Sequence, residues 1–179
     1  MTLCAKAQVT SFENPDSLRA ENPLECVSAT EVAASSSAAD VAAGAQHCTE
    51  NGRFDEAAAL LLVSSAFVDF DTRRVADASA HAARQALFAN TFSNQSESDM
   101  QSLFGALDSL DPSSAEHQRI CEHLRDIGPP SYFPKYMIAH GLQAATDPDA
   151  PPLIEPFDSA RAWEESLTGF IGCRPKSVD

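Results

Sequence analysis

The run Ala57-Ala58-Ala59-Leu60-Leu61-Leu62-Val63-Ser64-Ser65-Ala66-Phe67 constrains this chain more than any other stretch. It holds no charge, no Gly and no Pro. Alanine and leucine are among the strongest helix formers. Leu60, Leu61, Leu62, Val63 and Phe67 fall almost all round a helical wheel rather than on one stripe. A helix that is apolar on every side has to be covered on every side, so this one belongs at the centre of the fold. Phe54-Asp55-Glu56-Ala57 opens it, with acids in the first turn where the helix dipole favours them, and it is expected to run to Val68.

The flanking sequence reads as the cover. Ser28-Ala29-Thr30-Glu31 has the form of a capping box and marks a helix start. Ser35-Ser36-Ser37 interrupts that helix, and Asp40 resumes it to about Glu50. Asn51-Gly52 breaks the chain before the central helix. Asp69 to Asp71 reads as the next break, with Asp71 capping a helix from Thr72 to about Phe88. The thin stripe Val75, Ala78, Ala82, Ala86 and Leu87 should let that helix lie tightly on the central one. Met100, Leu103, Phe104, Leu107 and Leu110 form the stripe of a helix that starts at Ser96. Asp111-Pro112 opens a further helix lined by Ile120, Cys121, Leu124 and Ile127 and closed by Gly128. Residues 129–134 read as a rigid proline connector, 135–140 as a short helix, and 144–156 as an extended arm. A last helix, capped by Asp158 or Ser159, carries Trp163, Leu167 and Phe170. No run alternates as a strand does, so the expected fold is all-α: one compact bundle of about six or seven helices with extended terminal arms. Residues 1–27 form the N-terminal arm, 28–141 the helical core, and 142–179 the proline-rich arm and C-terminal helix.

Charge narrows the function. Twelve Lys and Arg stand against 26 Asp and Glu, a formal charge of -14. Phosphate repels such a chain, which argues against nucleic acid and anionic lipid as partners. There is no apolar run long enough to span a membrane. Residues 1–25 hold Glu13, Asp16, Glu21 and Glu25 and lack an apolar stretch, so they do not read as a signal peptide. The expected compartment is the cytoplasm, or the periplasm if the chain is a mature form. Five cysteines, Cys4, Cys26, Cys48, Cys121 and Cys173, form no C-x-x-C. Four of them can form two disulfides in an oxidising compartment, with one thiol left over. We expect instead that Cys48 and Cys121, placed in helices, are buried free thiols.

Residues 41–68 resemble a tetratricopeptide-type helical hairpin. The resemblance rests on the Gly52-Arg53-Phe54-Asp55-Glu56-Ala57 turn, preceded by an alanine-rich helix with Gly44 and Ala45. It covers about one repeat, and no second repeat follows at the family's period of about 34 residues. It implies helix–turn–helix packing rather than a peptide-binding array. The stretches Arg73–His81 and Gly128–Gly141 are similar to segments of small bacterial helical proteins, some of which neutralise secreted toxic effectors.

Three constellations bear on chemistry. Asp77 and His81 stand four apart, the spacing at which a carboxylate orients an imidazole, but no nucleophile shares their face. His117 and Cys121 share that spacing, while His123 points elsewhere, so the ligands a zinc site needs do not converge. Tyr132, Phe133 and Tyr136 either pin the proline connector or, if exposed, anchor an interface. Phosphate-binding and hydrolase motifs are absent. We therefore expect a non-enzymatic protein-binding protein without metal or cofactor: an acidic inhibitor or immunity protein that neutralises a bacterial toxin or effector enzyme. Residues 96–128 have a balance of -5, so Asp108, Asp111, Glu116, Glu122 and Asp126, with the three aromatics, are the candidate contacts to a basic partner. A helical adaptor holding a peptide near Phe54–Phe67 is the alternative, and a small enzyme built on Asp77 and His81 a second.

Overall fold

The computed structural model describes residues 17–175. The first part of the expected N-terminal arm, including Cys4, and the last four residues lie outside them. Among the described residues eight α-helices follow in order: α1 (Ala38–Glu50), α2 (Phe54–Arg74), α3 (Ala83–Thr91), α4 (Glu97–Ser109), α5 (Ala115–Ile127), α6 (Lys135–Ile138), α7 (Gln143–Thr146) and α8 (Ser159–Glu165). Short 3₁₀ turns occupy Ala29–Glu31 and Ala78–Ala82, and a π turn, Ser166–Phe170, continues α8. No strand occurs among the described residues, only an isolated bridge between Val75 and Leu153. The fold is all-α, as the periodicity implied.

Helix α2 is the axis. Leu60, Val63, Phe67, Val68, Phe70 and Asp71 are all buried on it, and Trp163 from α8 closes on Phe67 and Phe70 at ring separations of 5.8 and 5.7 Å. Its main neighbour is α1, which runs back along it from the Gly52 turn, where φ is +70°. Ala38, Ala39, Ala42 and Ala45 supply the close approach. A Cβ on Gly44 would sit 3.1 Å from the Glu25 carbonyl, so that glycine lets the incoming arm cross α1.

Three boundaries differ from the sequence reading. The capping box at Ser28 is present, but it starts only a 3₁₀ turn; a second box, Ser37 with Asp40, starts α1. Asp69–Asp71 does not end the central helix. Asp69 pairs with Arg73 one turn on at 2.9 Å, and Asp71 with Arg74 at 2.7 Å, so these acids extend α2 by in-helix pairs. The chain breaks at Val75, where the Arg74 carbonyl accepts from the Ile154 amide, and Asp77 rather than Asp71 is the next cap. The helix expected at 72–88 is therefore two pieces, and α3 touches α2 only sparsely. At α5, Ser114 caps and Pro112 precedes the helix.

The free-thiol expectation is overturned. Cys26 is bonded to Cys48 and Cys121 to Cys173, with Cα separations of 4.7 and 5.7 Å. Cys48 and Cys121 are buried in helices as expected. What the helical pattern did not register is that the arm folds back onto α1, and the C-terminal tail onto α5, at disulfide distance.

Candidate functional site

The candidate contact residues separate into two groups. Asp108, Asp111, Glu122 and Asp126 are exposed, on α4, the turn after it and the outer face of α5. Glu116 is partly covered and paired with Arg119. Ser113 donates its amide and hydroxyl to Asp111, and those bonds hold that carboxyl below its ordinary range. Of the aromatics, only Phe133 is an exposed surface group, at 56%.

Tyr132 and Tyr136 are committed to the interior. Both hydroxyls donate to Asp71 Oδ2, at 2.7 and 2.8 Å, while Arg74 Nε donates to Oδ1 at 2.8 Å. Arg74 also donates to the carbonyls of Pro130 and Tyr132 and lies 5.0 Å from the rings of Phe70 and Tyr132. This cluster pins the proline connector to the end of α2. Burial pushes the Asp71 carboxyl up, against the pull of Arg74 and the two hydroxyls. Burial, with the adjacent Asp71 charge, drives both tyrosine hydroxyls well above their ordinary value, so they remain donors. Every donor and acceptor named here has a partner, so the cluster reads as a structural pin.

Asp77 and His81 are not joined as a dyad. Asp77 Oδ1 accepts the amide and hydroxyl of Ser79, and Oδ2 accepts the Gln143 amide at 2.9 Å. Burial raises this carboxyl, but those three bonds outweigh it and hold it below its ordinary range. His81 Nε2 donates instead to the Val75 carbonyl at 3.1 Å. His117 Nε2 donates to the Ile171 carbonyl at 2.7 Å, and Cys121 is spent in its disulfide. His47 and His123 likewise donate to the carbonyls of Leu24 and Val32. These imidazoles tie irregular segments to helices.

An apolar groove of about 480 Å³ lies between α2, α3 and α4; its floor falls in the Phe54–Phe67 stretch of the adaptor reading, but its walls on α3 and α4 were missed by sequence reasoning. Leu61, Leu62 and Ser65 form its floor. Phe88, Ala89 and Phe92 form one wall, and Met100, Leu103, Phe104 and Leu107 the other. Leu103 is the one buried residue of α4, and Phe104 is 56% exposed. The apolar stripe on α4 was legible; the structure buries Leu103, half-buries Met100, Leu107 and Leu110 against the core, and leaves Phe104 exposed. A second signal was also available: between Arg84 and Arg119 the chain has no Lys or Arg and five carboxylates, Glu97, Asp99, Asp108, Asp111 and Glu116.

Comparison with family models, curated proteins and solved structures finds no match for this chain. The functional reading therefore rests on the chain's own geometry.

Proposed function

We propose that this is a non-enzymatic protein-binding domain that captures a basic protein partner, acting as an inhibitor or immunity protein toward a bacterial toxin or effector enzyme. The observation that carries this reading is the base-free acidic stretch between Arg84 and Arg119, exposed on α4 and the following turn. A surface of one sign steers an oppositely charged partner and disfavours wrong ones. The two disulfides support work in an oxidising compartment such as the periplasm. The groove beside the acids, which no described residue fills, also supports the second reading, a helical adaptor that holds a partner segment.

The test is capture with the oxidised, tagged protein from an extract of its source cells, eluted by salt from about 50 to about 500 mM. The expected result is one stoichiometric basic enzyme whose activity falls when this chain is added. Partners that share a helix but keep their activity favour the adaptor. Binding that does not weaken with salt sinks the electrostatic capture.

A further inference from the structure

We infer that the groove between α2, α3 and α4 is the docking site for a cationic amphipathic helix of the partner. This rests on the protein-binding reading and names the segment recognised. Two observations converge. The groove is lined by apolar side chains apart from Ser65 and leaves Phe104 more than half exposed, the form of a groove that takes helix anchors at i, i+3 or i+4, and i+7. The α4 flank beside it is acidic: at about 100° per residue, Glu97 and Asp108 fall next to Phe104, and both are exposed.

The nearest base on the walls is Arg84, one turn before Phe88. It is occupied by Asp69 at 3.4 Å and by the Phe170 ring at 4.0 Å. An incoming helix therefore meets an apolar floor and the carboxylates of the α4 flank, with no unpaired Lys or Arg on the described walls. Charge complementarity fixes the occupant. A second copy of this chain carries -14 and brings like charge to that flank. An acidic helix is repelled in the same way. A helix with an apolar stripe and flanking Lys or Arg satisfies both features.

The experiment uses two synthetic probes of about 18 residues with the same Leu stripe, one flanked by Lys and one by Glu. Binding to the oxidised full chain is followed by fluorescence anisotropy and located by amide chemical-shift changes. The Lys peptide is expected to bind at least about tenfold more tightly than the Glu peptide at low salt and to weaken by a similar factor at about 500 mM. Shifts should concentrate on Leu61–Ser65, Phe88–Phe92 and Met100–Leu107. Phe104→Ala, at an exposed position that folding tolerates, should weaken the Lys peptide about tenfold. Asp108→Asn with Glu97→Gln should erase most of the preference for Lys over Glu.

Shifts centred elsewhere, an unchanged Phe104→Ala, or equal binding of the two peptides would overturn the assignment. So would a concentration-dependent dimer that Phe104→Ala disperses. The capture experiment separates the two claims. A basic partner that Phe104→Ala captures undiminished leaves the protein-binding reading standing and removes the groove. Failure of the oxidised chain to capture any partner, with the Lys peptide still bound in the groove, does the reverse.

Discussion

Arg74→Met isolates a buried acid, and the consequence has a definite dependence on pH. Asp71 is fully buried, with Arg74 Nη2 2.7 Å from its Oδ1. Burial already pushes this carboxyl up, and Arg74 is the strongest of the groups that oppose it. Without the guanidinium, the native carboxyl keeps its proton while the unfolded chain releases it near pH 4. The native state then holds more protons than the unfolded one, so stability falls as pH rises. One retained proton costs about 1.4 kcal/mol per pH unit, which widens the variant's deficit by up to about 2.7 kcal/mol between about pH 5.5 and 7.5. That range stays above the pI near 4.5. The assay is urea unfolding read by the fluorescence of Trp163, the single tryptophan, buried against Phe67 and Phe70. Arg74→Met combined with Asp71→Asn removes the charge, keeps an acceptor for the two tyrosine hydroxyls, and should recover stability at pH 7.5 with little pH slope. A deficit for Arg74→Met that is equal at both pH values, or below about 1 kcal/mol at pH 7.5, would refute the reasoning, because the two tyrosine hydroxyls would then suffice for the carboxylate.

Reduction should cost more at Cys121–Cys173 than at Cys26–Cys48. Sequence separations of 52 and 22 correspond to about 4 and about 3 kcal/mol of chain entropy. Urea midpoints of the Cys121→Ser with Cys173→Ser variant and the Cys26→Ser with Cys48→Ser variant measure the order, and peptide mapping of the unreduced protein should recover both cross-links. Gly141→Ala puts a Cβ against the Asp77 carboxylate and 2.9 Å from the Ala80 Cβ, so about 1–3 kcal/mol should be lost by the same assay. Asp77, held below its ordinary range, contributes stability that is fully present above about pH 4 and is lost as acid protonates it. Asp77→Asn should therefore flatten the acid limb of the stability curve; an unchanged limb would mean that the loop bonds do not depend on the charge.

The helical class and the central position of α2 were legible because an apolar, charge-free run admits few other solutions. Ser96 and Asp158 were legible as caps because capping is local. The end of α2 was not. Asp69 and Asp71 resemble a terminator in isolation, and only Arg73 and Arg74 at the right spacing turn them into helix-extending pairs. Tyr132 and Tyr136 illustrate the same limit. The proline context points to a pin, but the group that receives both hydroxyls is an acid about sixty residues away in sequence, Asp71. The disulfides were open for a related reason: periodicity places Cys48 and Cys121 on helices but does not bring the terminal segments back to them. The walls of the groove escaped because a stripe of apolar residues states which face is apolar, not whether a neighbour covers it.

Where the chain ties itself down bears on that groove. The N-terminal arm is held to α1 by the Cys26–Cys48 bond and by His47 on the Leu24 carbonyl. The tail is held to α5 by Cys121–Cys173 and by His117 on the Ile171 carbonyl. Neither kind of tie reaches α4, which buries Leu103 alone and is joined to α2 across the floor of the groove. Helices with few buried contacts open at lower free energy than the core. Amide exchange followed by mass spectrometry should therefore proceed faster in Glu97–Ser109 than in Phe54–Arg74. Filling the groove with the Lys-flanked peptide should slow exchange in α4 more than in α1 or α5. If α4 already exchanges as slowly as α2, its exposed stripe is held by packing that a bound helix does not need to complete. The face between α3 and α4 would then be a finished surface rather than one awaiting a partner.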